Sequence, residues 1–395
     1  MSGTREGNKT LLFVNPWFGP LGPNVGMRQM AIECLRRGHR VVVVVQESDE
    51  FLEALRAQGV EAHVMPALEM TPRTRSIRLI ARHLWRSWRT VRQITRLCRQ
   101  VNADTVCINC ENLFLMPRIG PSIGRHSVVV MRGARFGELG VLSRVYFAIQ
   151  KRWTWRYVAV SHTVKGILTN LGVPPQQVEV ICNGVDAQTY RPGPARHDIR
   201  CQLGIAPGAP LFGDVSVVLP RKGAHHLVEV LHRVRQVLPE ACCVIVGDTD
   251  RHGSASYAQQ LRQRARELGV QDGLILTGNR SDIPDVLREM DLMVHPTETE
   301  SFGRAIAEAM ATGLPVVGFA VGAVQELIDD GQTGRIIQPF DIEAMAAVTI
   351  ELLKNPSLCR RLGQAGRQKV MKQYDVARNV AALIDVLEQA AAPQG

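Results

Sequence analysis

The sequence has no long apolar run. Hydrophobic residues make up 45% of the 395 positions, yet none of the apolar segments reaches the ~18 residues that a membrane-spanning helix needs. Residues 1–10 are polar and the apolar stretch after them is short and strand-like, so no secretory signal is expected. Paired cysteine spacing is also scarce. Nine cysteines are scattered along the chain. Cys107 and Cys110 form a single C-x-x-C with no second pair at zinc-ribbon distance, and the adjacent Cys242 and Cys243 lie in an apolar run. They read as reduced thiols of a cytosolic protein. The net charge is +10, but no zinc-finger spacing and no RNA-binding aromatic motif supports a nucleic-acid partner. A phosphate-rich small ligand or an anionic membrane surface accounts for the cations more economically. The dinucleotide fingerprint G-x-G-x-x-G is missing too, because the N-terminal loop has its glycines at 19, 22 and 26. Glu47 after the second strand mimics the ribose-binding acid of a dehydrogenase, and it does so without that fingerprint.

What is present is alternation. Leu11–Val14 reads as a strand, a helix is expected from about Met27 to Arg37 with Gly38 closing it, and Val41–Val45 reads as a buried strand. Such a βαβ unit argues for a parallel sheet. Val106–Asn109, Ser127–Met131, Val158–Ser161 and the segment from Val178 continue the pattern. Tyr190–Pro194 reads as a linker. Beyond it, Leu211–Phe212, Val215–Leu219, Cys242–Val246, Gly273–Leu276, Leu292–Val294 and Pro315–Phe319 are strand candidates, and the chain reads as helical from about Ser357 to Ala392. Two α/β domains follow.

The most informative stretch runs from Thr297 to Val317. A buried strand turns at Pro296, and a helical pattern begins that carries Ala305, Ile306, Ala309 and Met310 on one face before Gly313-Leu314-Pro315 stops it. Glu300 stands at the loop-to-helix junction. Ser301, Phe302 and Gly303 offer backbone N–H groups near a helix start, where orphan donors favour anions and hydroxyl-rich ligands. Glu308 follows eight residues later, about 12 Å along an ideal helix. Carboxylates that far apart suit two ends of an elongated ligand. Acids are common in a first helical turn, which accounts for Glu300 but not for Glu308 among Ala307, Ala309 and Met310.

Glu300-x7-Glu308, continuing as Glu308-Ala309-Met310-Ala311-x-Gly313-Leu314-Pro315-Val316-Val317, resembles the motif of retaining GT-B glycosyltransferases of family four. The resemblance implies a GT-B fold: α/β, two Rossmann-like domains with parallel sheets facing a cleft. It implies an N-terminal acceptor domain over residues 1–190, a nucleotide-sugar domain over 195–372, and a C-terminal helix, 373–395, that crosses back. It places Glu300 at the donor sugar and Glu308 on the ribose hydroxyls. Val178–Asp186, with its Asn183-Gly184-Val185-Asp186 turn, resembles the family's segment closing the first domain and reads as mainly structural. Gly22 belongs to the glycine-rich loop that the family lays over the donor phosphate, and Gly278-Asn279-Arg280 to the loop against the base.

Leu219-Pro220-Arg221-Lys222-Gly223 follows a strand and precedes a helix. Cations there sit at the carboxyl edge of a parallel sheet, where ligands bind, and Lys222 with Arg221 suits the charge that builds on a departing diphosphate. The family usually has a Gly-Arg pair several residues upstream, where this chain has Val215-Ser216-Val217-Val218. It often has a His-Gly pair in the first domain, where this chain has Arg132-Gly133. Arg132 and the nearby Glu138 are expected on the acceptor side. Asp248-Thr249-Asp250 looks like a metal-binding D-x-D, but chance matches to so short a motif are common and such enzymes generally need no metal. No cofactor and no metal is expected. His295 reads as structural.

Between Thr71 and Ala103 there are nine arginines and no acid. Ile77, Ile80, Leu84, Trp88, Val91, Ile94 and Cys98 form an apolar stripe with arginines around it. A helix packed on the sheet with a solvated basic face is one reading; contact with an anionic membrane surface is the other. A second basic-aromatic patch spans residues 151–156. The expected function is transfer of a sugar from a nucleotide-diphosphate donor, a UDP-sugar, to a glycan or lipid-linked acceptor hydroxyl in polysaccharide or glycolipid biosynthesis. The expected location is the cytoplasm, at the inner membrane face. The alternative is a catalytically degenerate GT-B protein that binds nucleotide-sugars.

Overall fold

The computed structural model describes residues 8–17, 22–68, 70, 76–133, 141–249 and 254–392. It divides into two compact units, one of residues up to Gly184 together with the segment from Ala377, the other Val185–Val376.

The first unit is built on seven parallel strands: β1 Thr10–Asn15, β2 Arg40–Val45, β3 Glu61–Val64, β4 Thr105–Ile108, β5 His126–Met131, β6 Arg156–Ala159 and β7 Val178–Val180. Their order is β3-β2-β1-β4-β5-β6-β7. Leu11–Val14, Val41–Val45 and Val106–Ile108 are buried. Such continuous apolar runs mark strands covered on both faces, which is why they stood out in the sequence. The last helix, Val376–Ala390, belongs to this unit. Arg37 reaches Asp385 at 2.8 Å and His39 Nε2 lies 2.8 Å from Glu388.

The second unit repeats the plan with six parallel strands: β8 Leu211–Val215, β9 Cys242–Val246, β10 Leu274–Gly278, β11 Leu292–His295, β12 Val316–Phe319 and β13 Arg335–Ile337. Their order is β10-β9-β8-β11-β12-β13. Phe212, Ile245, Val294, Val317 and Phe319 from the sheet meet Leu227, Val228 and Leu231 of the helix Ala224–Arg235 in one core.

Four local expectations are corrected. The first helix begins at Gly22, not Met27, since Pro23 is acceptable in a first helical turn where its missing N–H has no partner to lose. Val215–Leu219 is not a strand of its own. The strand is Leu211–Val215, and a turn over Pro220–Lys222 follows. The short strands β3 and β13 carried no apolar run and went unread. The stripe on the Arg-rich helix, Ile77–Gln100, holds only in its second half. Val91, Ile94 and Cys98 are buried, but Ile80, Leu84 and Trp88 are exposed, and His83, Ser87 and Thr90 face inward instead.

Candidate functional site

β8 and β11 are neighbours in the centre of the second sheet, with Phe212 opposite Leu292 and Gly213 opposite Met293. Their carboxyl ends therefore deliver Asp214 and His295 side by side. After β11 the chain turns at Pro296 and runs through Glu300 into the helix Arg304–Thr312. After β8 it passes through the turn that carries Arg221 and Lys222. Gly223 closes that turn at φ +76°, and a Cβ there would overlap the Pro296 carbonyl oxygen. Only glycine lets the two loops pack this closely. The Glu298 N–H then bonds to the Arg221 carbonyl at 3.0 Å.

Five side chains are linked as a result. Lys222 Nζ donates to Glu300 Oε2 at 2.5 Å. His295 Nε2 lies 3.5 Å from the same oxygen, and its Nδ1 lies 2.7 Å from Asp214 Oδ1. Ser216 donates to the other Asp214 oxygen at 2.5 Å. Burial alone would push His295 down, but the charge and hydrogen bond of Asp214, with help from Glu300, raise it from 6.5 to about 9. Glu300 shows the complementary balance. Burial works to raise its carboxyl, yet Lys222 and then His295 hold it well below the usual carboxylate range. It is thus a fixed anion flanked by two cations, fitted to accept hydrogen bonds and not to give a proton.

Glu308 sits on the following helix in a different environment. It is buried, Arg304 Nη1 is 3.6 Å from its Oε1, and the Tyr190 hydroxyl bonds to it. Burial raises its carboxyl, opposed by Arg304 and Tyr190. Arg304 Nη2 is buried with no hydrogen-bond partner.

Around these, the Ser301 N–H turns back onto Glu300 Oε1 at 3.1 Å. Phe302 is buried edge-on to Tyr374, with ring centroids 5.6 Å apart. Gly303 adopts φ +92° and precedes the helix. Arg280 is held by Asp282 through two bonds of 2.7 and 2.5 Å and by Gln202 at 3.0 Å, so its guanidinium braces the loop after β10.

In the first unit, Gly22 opens the first helix. Arg132 follows β5 and joins a buried amide network. Its Nε donates to Asn109 Oδ1 at 2.9 Å and its Nη1 to Asn183 Oδ1 at 2.6 Å. Asn109 donates to Asn15 at 2.8 Å, and Asn15 to Asn24 at 2.9 Å. The Arg132 N–H bonds to Glu111 at 2.8 Å. Burial pushes Glu111 up against the backbone donors of Arg132 and Gly133. Glu138 and Asp250 lie outside the described residues.

Sequence reasoning missed Asp214, Tyr190, Arg304 and the amides at Asn15, Asn24 and Asn109, and it read His295 as structural. A signal existed for some of them. Asp214, Asn15 and Asn109 are polar residues at or near the carboxyl ends of otherwise apolar strands.

A glycosyltransferase family 4 model matches residues 22–189, and a model of glycosyl transferases group 1 matches residues 195–369. The chain is 28% identical over 212 residues, 53% of its length, to the lipopolysaccharide core biosynthesis mannosyltransferase LpsB of Rhizobium meliloti (strain 1021). It is 28% identical over 249 residues, 60% of its length, to the alpha-maltose-1-phosphate synthase of Mycobacterium tuberculosis (strain CDC 1551 / Oshkosh). The chain spans 60% and 63% of the length of these two relatives. HepE of Anabaena, solved in complex with UDP and glucose, shares the fold at a TM-score of 0.82 and 21% identity, over 97% of this chain and 100% of HepE. Matched in both halves and folded as GT-B, the chain belongs to glycosyltransferase family four, the group 1 glycosyltransferases.

Proposed function

We propose that the chain moves a hexosyl group from a UDP-linked donor to an acceptor hydroxyl, with retention of configuration, in polysaccharide or glycolipid biosynthesis. The observation that carries this reading is the linked set Asp214–His295–Glu300–Lys222 at the carboxyl edge of the second sheet, followed on the next helix by the buried Glu308.

The roles follow from charge. Lys222 has three N–H donors and spends one on Glu300, so with Arg221 it neutralises the donor diphosphate as negative charge grows on it. Glu300, held ionised, accepts from hydroxyls of the sugar. Glu308 accepts from the ribose hydroxyls. The turn at Ser301–Gly303 and the helix N-terminus behind it favour the phosphates. The Gly278–Arg280 loop, braced by Asp282, lies against the base. The acceptor oxygen bonds to the anomeric carbon on the face from which the diphosphate leaves; the glycosidic C–O bond to phosphate breaks, and the acceptor proton passes to a departing phosphate oxygen. Neither an enzymic nucleophile nor a metal is required, because Lys222 and Arg221 supply the neutralising charge. Arg132 stands at the acceptor side. HepE was solved with UDP and glucose, which supports the uridine nucleotide. LpsB is a lipopolysaccharide mannosyltransferase, which supports a glycolipid or polysaccharide acceptor.

We further propose that the first unit meets an anionic membrane surface and that the enzyme works in the cytoplasm, at the inner membrane face. Among the described residues no helix is long and apolar enough to cross a bilayer. The Arg-rich helix instead turns Leu79, Ile80, Leu84, Trp85 and Trp88 outward. Arg89 lies over the Trp85 ring at 4.7 Å and Arg92 over Trp88 at 3.6 Å. Val141 and Leu142, on the helix Val141–Gln150, are 74% and 63% exposed. Apolar and aromatic groups interleaved with cations suit an anionic lipid surface. Trp153 and Trp155 do not add to it, being packed on Phe114 and His126.

The test is a panel of UDP- and GDP-sugars, read by thermal stabilisation and by donor turnover. A bound donor at 100 times its dissociation constant adds about 2.7 kcal/mol. Stabilisation with turnover that collapses in Glu300→Gln and Lys222→Ala supports the transferase. Stabilisation without turnover identifies a binding protein, and wild-type turnover in both variants removes these residues from the mechanism.

A further inference from the structure

Behind the Lys222 turn lies a cluster that the transfer reaction does not use. His225 and His226 occupy the first turn of the helix Ala224–Arg235. One ring nitrogen from each and a carboxylate oxygen of Glu298 lie within 4.8 Å of one another. His226 Nε2 is 4.0 Å from Glu298 Oε1, beyond hydrogen-bond reach, and it is buried without a hydrogen-bond partner. A buried ring nitrogen left in that state is costly unless something meets it. The other ring is braced. The Tyr257 hydroxyl oxygen accepts the His225 N–H at 3.0 Å and lies 2.7 Å from His225 Nδ1, as outer groups brace a metal-bound imidazole through its second nitrogen. The rings stand with centroids 3.9 Å apart, an arrangement that two imidazolium ions would resist and that two neutral rings sharing a cation would not.

We propose that His225, His226 and Glu298 bind a divalent transition-metal ion of the Zn2+ class. Two imidazoles and a carboxylate are a borderline donor set that suits Zn2+ over Mg2+ or Ca2+. Three protein ligands leave a position for water. Glu298, at the surface, has the freedom to close on the ion. The consequence is mechanical. The His226 N–H bonds to the Gly223 carbonyl at 2.8 Å, and the Glu298 N–H to the Arg221 carbonyl at 3.0 Å. The ion therefore staples the Lys222 turn to the Glu300 loop from outside the donor chemistry, and it takes no part in the transfer. The inference stands whether or not the sugar-transfer reading does, since its measurement is binding.

The experiment is titration of the full chain, freed of metal by chelation, with Co2+ followed by its visible d–d absorption and with Zn2+ followed by calorimetry. The expected result is one saturable site that raises the melting temperature. Its affinity falls by at least about tenfold in Glu298→Gln and in His226→Ala, and is unchanged in His63→Ala, a surface histidine paired with Glu61. His226 also packs on Phe319 and Phe340, so its loss tests the core as well as the site. Glu298→Gln, at an exposed position, keeps the test independent of folding. Absence of a saturable 1:1 site, or equal affinity in wild type and Glu298→Gln, overturns the proposal.

Discussion

Replacing Asp214 with Asn removes the charge that keeps His295 protonated while keeping the shape of the side chain. In the folded protein burial pushes the His295 imidazole down, but Asp214 and then Glu300 outweigh it against the repulsion of Lys222, and the ring titrates at about 9 instead of 6.5. At about 1.4 kcal/mol per pH unit, that gap is on the order of 3 kcal/mol of stability from one proton. The sign follows from the direction of the shift. A histidine raised on folding contributes fully below pH 6.5, and the contribution disappears as the pH climbs through 9. Glu300 titrates far below this window and does not confuse it. The wild-type protein therefore loses stability in its second unit between pH 6.5 and 9, and Asp214→Asn, already lacking the contribution, shows a flat profile there.

The assay has to see the second unit. All five tryptophans, at 17, 85, 88, 153 and 155, belong to the first, so their fluorescence is blind to the change. Histidine-selective NMR reads the ring directly, and calorimetry across the same pH range reads the stability. A His295 ring that titrates near 6.5 in the wild type, or parallel stability profiles for wild type and Asp214→Asn, refutes the argument.

Other expectations rest on single contacts. Lys222→Ala should lower turnover by about 10²–10³, the usual loss for one charge-stabilising donor, measured as donor hydrolysis. Glu308→Gln should weaken UDP binding by about 1.5–3 kcal/mol, the contribution of a hydrogen bond to a charged group, by calorimetry, and should also lower the melting temperature, because it takes the counter-charge from the buried Arg304. Gly223→Ala forces a side chain into φ +76° against the Pro296 carbonyl; a melting temperature within error of wild type would contradict a cost of about 1–3 kcal/mol. Replacing Arg78 and Arg82 with Ser should reduce binding to anionic vesicles by about 1 kcal/mol each and leave neutral vesicles unaffected. Sedimentation that does not depend on vesicle charge would count against the basic face.

The readable parts of this molecule are those in which one stretch of chain carries the information. Val41–Val45 and Leu292–Val294 announce buried strands because both faces of a parallel sheet must be apolar. The Glu300–Glu308 spacing is legible because both residues lie on a single loop and helix. The set around Glu300 is not local. Asp214 and His295 are 81 residues apart, and they touch only because β8 and β11 are adjacent in a strand order that skips from the eighth strand to the eleventh. No window of sequence contains that adjacency, so His295 looked like a solitary histidine. The Arg-rich helix failed for a different reason. Period 3.6 identifies a face but not which face turns inward. Ile80, Leu84 and Trp88 continue the stripe of Val91, Ile94 and Cys98, yet the first half of the helix packs through His83, Ser87 and Thr90 and leaves its apolar side to solvent. The small polar face packs closely, as in Thr90, whose hydroxyl donates to the Ala67 carbonyl at 3.0 Å. A stripe that is core at one end and exposed at the other satisfies the pattern without satisfying burial, because period alone does not say where the neighbouring elements stop covering the helix.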